Sequence, residues 1–176
     1  REMDPRFFVK QLIKTQGIAL ADVDRIVDRL HRFYSTQPRL PEREIEAASG
    51  RLKQWTEDNF ASARGFIGQT ISAPVLEAIS LYAREFLSRH RAIFTTRAED
   101  GRILDCHGDL HLEHLHLTDH ELQIFDCIEF NESFRHIDVA NDIAFLAMDL
   151  DFNDRPDLAR CLVKRFSALL EDAGMQ

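Results

Sequence analysis

Hydrophobic positions recur along this chain with two periods, and the change between them falls at Gly101. Before it the spacing is helical. Asp4-Pro5 opens a pattern carrying Phe8, Leu12 and Ile13 that Gly17 can close, with proline in the first turn and glycine past the end. Val23, Ile26, Val27, Leu30 and Phe33-Tyr34 form the stripe of a second helix, punctuated by Pro38 and Pro41. A third runs from about Pro41 into the low sixties through Ile45, Leu52, Trp55 and Phe60. Ser72-Ala73-Pro74 starts a fourth, long helix carrying Leu76, Ile79, Leu81-Tyr82, Phe86 and Leu87 to about Phe94. Trp55, Phe60, Tyr82 and Phe86 fall at helical spacing and are expected in the core.

After Gly101 the texture changes. Ile103-Leu104 leads into the loop Cys106-His107-Gly108-Asp109-Leu110-His111. Leu115-His116-Leu117 and Leu122-Gln123-Ile124-Phe125 then flank the polar run Thr118-Asp119-His120-Glu121, which predicts a β-hairpin. From Asp138 the helical period returns through Val139, Ile143, Ala144, Leu146, Ala147 and Leu150, and a last helix runs from near Pro156 to Gly174. The expected fold is therefore mainly α with a small central β-hairpin.

Composition narrows this further. With 176 residues, 44% of them hydrophobic, the chain suits one compact domain. No apolar run approaches the roughly twenty residues that span a bilayer. The amino end lacks the basic-then-apolar layout of a secretory signal. A net charge of −8 argues against a nucleic-acid-binding surface, because phosphate backbones attract basic patches. Cys106, Cys127 and Cys161 are odd in number and form no CxxC pair, so a disulfide framework or zinc ribbon is not expected and a reducing cytoplasm fits best. The chain opens on Arg1 rather than Met, as an excised piece of a longer protein would.

The unusual chemistry is local. Four histidines, an aspartate and a glutamate crowd into residues 107–116, and Asp126 follows the second hairpin strand. Phosphoryl transfer asks a protein for a carboxylate that positions the acceptor, oxygen ligands for magnesium and positive charge around the phosphates. Asp109 on its loop and Asp126 at a strand end can supply the carboxylates to one pocket.

His107-Gly108-Asp109-Leu110-His111, continued by Leu112-Glu113-His114, resembles the HGDxHxxN catalytic loop of aminoglycoside phosphotransferases and choline-kinase-like enzymes. Ile124-Phe125-Asp126 is similar to their metal-binding aspartate, and Asp138-Val139-Ala140-Asn141-Asp142-Ile143-Ala144 to the start of their downstream helix. The resemblance covers residues 97–150, and the block from Cys127 to Glu132 is similar to an uncharacterised bacterial branch. It implies the carboxy-terminal lobe of a protein kinase-like fold. A helical part over 1–100, the catalytic loop and metal-site hairpin over 101–135, and terminal helices over 136–176 would make up that lobe. The amino-terminal nucleotide lobe is expected to be absent. Gly65-Phe66-Ile67-Gly68 is no phosphate loop, and Lys10, Lys14, Lys53 and Lys164 all lie on helical patterns.

The resemblance also implies roles. Asp109 would orient and deprotonate an acceptor hydroxyl, and His107 would brace the loop. Asp126 would hold Mg2+ bridging the phosphates of ATP, joined by His114. His111 and His114 would complete the cofactor-binding set. Asp142 would cap its helix and anchor the loop. The acceptor would be a small metabolite or an aminoglycoside-like alcohol. The family has an asparagine where His114 stands, and imidazole is a poor magnesium ligand and a good one for zinc or manganese. Two other readings follow from the same residues: a pseudokinase lobe without catalysis, and a zinc or manganese hydrolase built on His107, Asp109, His111 and His114. Glu129 and Glu132 are expected in a solvated loop, and Cys106 and Cys127 are expected to pack as small apolar groups.

Overall fold

The computed structural model describes residues 3–15 and 17–171. They are mainly helical, with two small sheets. The helices are α1 (Val9–Thr15), α2 (Leu20–Ser35), α3 (Glu42–Ala63), α4 (Ala73–Arg89) and α5 (Arg91–Glu99). Then come β1 (Ile103–Asp105), β2 (Leu115–Leu117), β3 (Leu122–Ile124), β4 (His136–Asp138), α6 (Val139–Phe152) and α7 (Pro156–Leu169). Among the described residues no helix is long and apolar enough to cross a membrane.

The chain forms two compact units, one from the residues up to Arg39 and from Leu104 onward, the other Leu40–Ile103. In the first, the α2 stripe Val23, Ile26, Val27, Leu30 and Tyr34 is buried. It packs against α7, which packs in turn on α6. Leu158, Leu162 and Phe166 of α7 and Ile143, Leu146 and Leu150 of α6 complete this core. Asp138 caps α6 by accepting the Ala140 N–H at 2.8 Å, and Pro156 opens α7, where a missing N–H costs nothing. The expected end of the last helix, Gly174, lies outside the described residues.

The predicted hairpin is present: β2 and β3 pair antiparallel with Leu115 opposite Ile124 and Leu117 opposite Leu122. The Thr118 N–H donates to the Glu121 carbonyl at 2.9 Å across the polar turn. The three β2 side chains are buried, His116 among them, with its Nε2 3.1 Å from the Asp4 carbonyl and its ring edge-on to Phe8. A second two-stranded sheet joins β1 to β4 and ties the entrance of the loop to the start of α6.

In the second unit the long helix expected from Ser72 to about Phe94 is two helices, broken at His90 (ψ 16°). Gly101 (φ +73°) then ends α5 in a Schellman arrangement, with the Arg102 N–H on the Arg97 carbonyl and the Gly101 N–H on that of Ala98. Leu40, Ala48, Ala98 and Ile103 form the buried cluster here, with Ile45 against it. Tyr82 and Phe86, expected in the core, are exposed, and Trp55 and Phe60 are half-buried. The physical reason is that α4 turns one narrow stripe inward, Leu76 and Ser80 with Ala83 and Leu87 partly covered, and Tyr82 and Phe86 lie off it.

Candidate functional site

The loop between β1 and β2 is held from below by two carboxylates of α6. Asp142 is buried, and its Oδ2 accepts the His107 N–H at 2.7 Å and the Tyr34 hydroxyl at 2.7 Å. Its Oδ1 accepts the Gly108 N–H at 3.0 Å. Burial pushes this carboxyl above its ordinary value, while the three donors pull it back toward the ionised form. Seven residues on, the Asp149 carboxylate accepts the Leu112 N–H at 2.8 Å. Asp142 thus anchors the loop as expected, but the helix cap is Asp138.

Gly108 is required where it stands. Its φ is +84°, and a Cβ there would meet the Phe134 carbonyl oxygen at 2.8 Å. Arg135 closes the far side, bonding Asp105 at 2.7 Å and the Ile128 carbonyl at 2.8 Å.

His107 braces the loop through both ring nitrogens. Its Nε2 lies 2.8 Å from the Phe125 carbonyl, which can only accept, so Nε2 carries the proton. Nδ1 then accepts the Asp109 N–H at 3.3 Å. Burial keeps this imidazole below its ordinary value, the neutral form that both bonds need. One buried ring therefore fixes the backbone of Asp109 relative to the residue preceding Asp126.

Asp109 and Asp126 face His114 from two sides. The His114 Nδ1 is 2.8 Å from the Asp109 carbonyl oxygen and 3.9 Å from its Oδ2, while Nε2 is 3.3 Å from Asp126 Oδ2. Only 12% of the His114 side chain is exposed, against 74% for Asp126. Asp126 follows β3 in the left-handed region, φ +60°, which aspartate tolerates better than most residues. The His111 ring lies 3.9 Å from that of His114, and its Nε2 is 3.6 Å from Asp109 Oδ2. Asp109, His111 and His114 each present one donor atom within 4.8 Å of the others. The predicted residues Asp109, His107, His111, His114 and Asp126 are thus gathered around one short loop and one strand end.

Two hollows flank the loop. One of about 640 Å³ is lined by Arg29, Phe33, Cys106, His107, Phe125 and Cys127 among others. The other, about 240 Å³, is lined by Lys10, His111, Glu113, Phe145, Met148 and Phe152, with Asp149. Its two acids are engaged: Glu113 pairs with Lys10 at 2.5 Å, and Asp149 with the Leu112 N–H and Asn153. Cys106 is buried as expected, whereas Cys127, past the end of β3, is exposed at the rim of the larger hollow. Glu129 and Glu132 are exposed.

Sequence reasoning missed Tyr34, Asp149 and Arg135. Asp149 had a signal: it stands seven residues after Asp142, two turns on along the same face of a largely apolar helix. Tyr34 had none, since its stripe position predicts burial without a partner.

The chain is similar to an uncharacterised protein of Mycobacterium tuberculosis and one of Mycobacterium bovis, each 33% identical over 136 residues, which is 77% of this chain. The matched region spans 27% of the length of those relatives. No family model matches the chain, and no solved structure matches it.

Proposed function

We propose that this chain carries the catalytic loop of a small-molecule phosphotransferase related to the aminoglycoside phosphotransferases and choline kinases, as its carboxy-terminal lobe. The observation that carries the reading is the convergence of Asp109 and Asp126 on His114, with His107 spanning the two segments. In this reading the acceptor hydroxyl sits against Asp109. As its oxygen bonds to the γ-phosphorus of ATP, its proton passes to the carboxylate and the nucleoside diphosphate leaves. Asp126 and His114 would hold the divalent cation, which supplies positive charge to the phosphates. The nucleotide itself needs a lobe that this chain does not resemble. The acceptor would enter through the hollow beside His111, whose exposed Phe145, Met148 and Phe152 suit an alcohol with an apolar body.

The hydrogen bonds weigh against the hydrolase reading. His107 uses both nitrogens on backbone groups, and His114 commits Nδ1 to a carbonyl, so no three-histidine centre is free to form. A catalytically silent lobe is the second reading, favoured by His114 in the place of the family's asparagine. Nucleotide turnover by the longer protein, run against amino sugars, choline-like alcohols and simple sugars, separates the two. Acceptor-dependent release of nucleoside diphosphate is expected, and silence with every acceptor from folded protein sinks the proposal.

A further inference from the structure

We infer that His114 and Asp126 form a binding site for a first-row transition-metal ion, of the zinc or manganese class, in preference to magnesium. The inference deepens the phosphotransferase reading and rests on it only for the use to which the ion is put.

The argument begins with the His114 proton. A carbonyl oxygen can only accept, so the 2.8 Å contact with the Asp109 carbonyl places the proton on Nδ1. In the neutral ring Nε2 is then a bare lone pair, and it faces Asp126 Oδ2 at 3.3 Å. Two lone-pair atoms at that distance repel unless a second ring proton or a metal ion lies between them, and the spacing is what favours the ion. Donors bound side by side to one ion at about 2.1–2.3 Å lie about 3.0–3.3 Å apart, so the pair already has the spacing a shared ion needs. Histidines that ligate metals usually give their other N–H to a carbonyl or carboxylate, which fixes the tautomer and ring plane. The Asp109 carbonyl does this for His114.

The neighbours fit the same assignment. His111 accepts the Glu113 N–H through Nδ1 at 3.4 Å, which puts its proton on Nε2, turned toward the Asp109 carboxylate. It is a support for Asp109 and not a third ligand. With two protein donors and an exposed Asp126, the remaining positions stay open to water or to phosphate oxygens. One nitrogen in the donor set disfavours magnesium, which keeps oxygen ligands, and favours the borderline ions.

The test is electron paramagnetic resonance of Mn2+ titrated into the folded protein, with Mg2+ as competitor. The bound Mn2+ should show coupling to one imidazole nitrogen and resist Mg2+. His114→Asn should remove the coupling and narrow the Mn2+ over Mg2+ preference by at least about tenfold. His111→Asn should change neither. An all-oxygen Mn2+ spectrum in the parent protein, which needs no variant to fold, overturns the inference. So does an unchanged preference in His114→Asn, and so does the failure of folded protein to bind any of these ions, which would leave an imidazolium–carboxylate pair in place of a metal site. Transfer by the parent protein that runs as well on Mg2+ alone as on Mn2+ would overturn this site and spare the phosphotransferase. Nitrogen-coordinated Mn2+ without transfer would do the reverse.

Discussion

The Tyr34 hydroxyl donates to Asp142 Oδ2 at 2.7 Å across 108 residues of sequence, inside the core of the unit that carries the loop of residues 106–114. The same carboxylate takes the His107 and Gly108 N–H groups, so helix α2, helix α6 and the loop meet at one acceptor. Removing it strands three donors. Each buried donor left without a partner costs about 1–3 kcal/mol. Asp142→Ala should therefore destabilise the protein by about 3 kcal/mol or more, whereas Tyr34→Phe, which leaves Asp142 two donors, should cost about 1 kcal/mol. Urea denaturation measures both. A loss below about 1 kcal/mol for Asp142→Ala would mean the carboxylate does not anchor the loop.

Gly108 sits where only glycine is at ease. Alanine would meet a left-handed φ and a carbonyl oxygen 2.8 Å from its Cβ, and the obstacle is backbone that cannot swing away. Gly108→Ala should lose more than about 1 kcal/mol and shift the Asp109 backbone. Amide chemical shifts of residues 107–110 would report the shift. Spectra unchanged around the loop would contradict it.

These two positions also mark what could be read in the sequence. The hairpin was legible because Leu115-His116-Leu117 and residues 122–124 alternate around a polar turn, and the α2 stripe because its spacing is regular. Strands β1 and β4 were not, since three residues are too short for a period and His136-Ile137-Asp138 merges into the α6 cap. Nor was the break at His90, because no glycine or proline lies between Pro74 and Gly101 to announce it. The residues of the candidate site were legible as a set that would lie together, and the loop-anchoring part of Asp142 with it. That His114 meets Asp126 was implied by the resemblance and not by the spacing, because only the folded hairpin brings residue 126 back to residue 114.

Alkaline pH should unfold the protein through two buried groups. Burial pushes the Cys106 thiol well above its ordinary 9.0 and the Tyr34 hydroxyl well above 10.0. The unfolded chain releases these protons first, so each contribution is fully present below the ordinary value and is lost as pH rises toward the folded one. Melting temperature should hold to about pH 9 and fall above it. Cys106→Ala should delay the onset toward about pH 10, and adding Tyr34→Phe should flatten the fall further. An unaltered slope in the double variant would locate alkaline unfolding elsewhere.

Asp109 separates a role in chemistry from a role in architecture. Its backbone holds the loop together, giving its N–H to His107 and its carbonyl to His114, while its carboxylate remains 41% exposed. Asp109→Asn preserves both backbone bonds and the side-chain volume and removes only the proton acceptor. The variant should unfold within about 0.5 kcal/mol of the parent, as expected of a substitution away from buried contacts. Turnover in the acceptor-dependent assay should fall by about 100- to 10,000-fold, the range for loss of a positioned general base. KM for the acceptor should move far less than kcat, because the missing interaction belongs to the transition state. Full turnover in a folded Asp109→Asn protein would exclude Asp109 as the base. A fall in stability matching the fall in rate would instead make the carboxylate part of the scaffold.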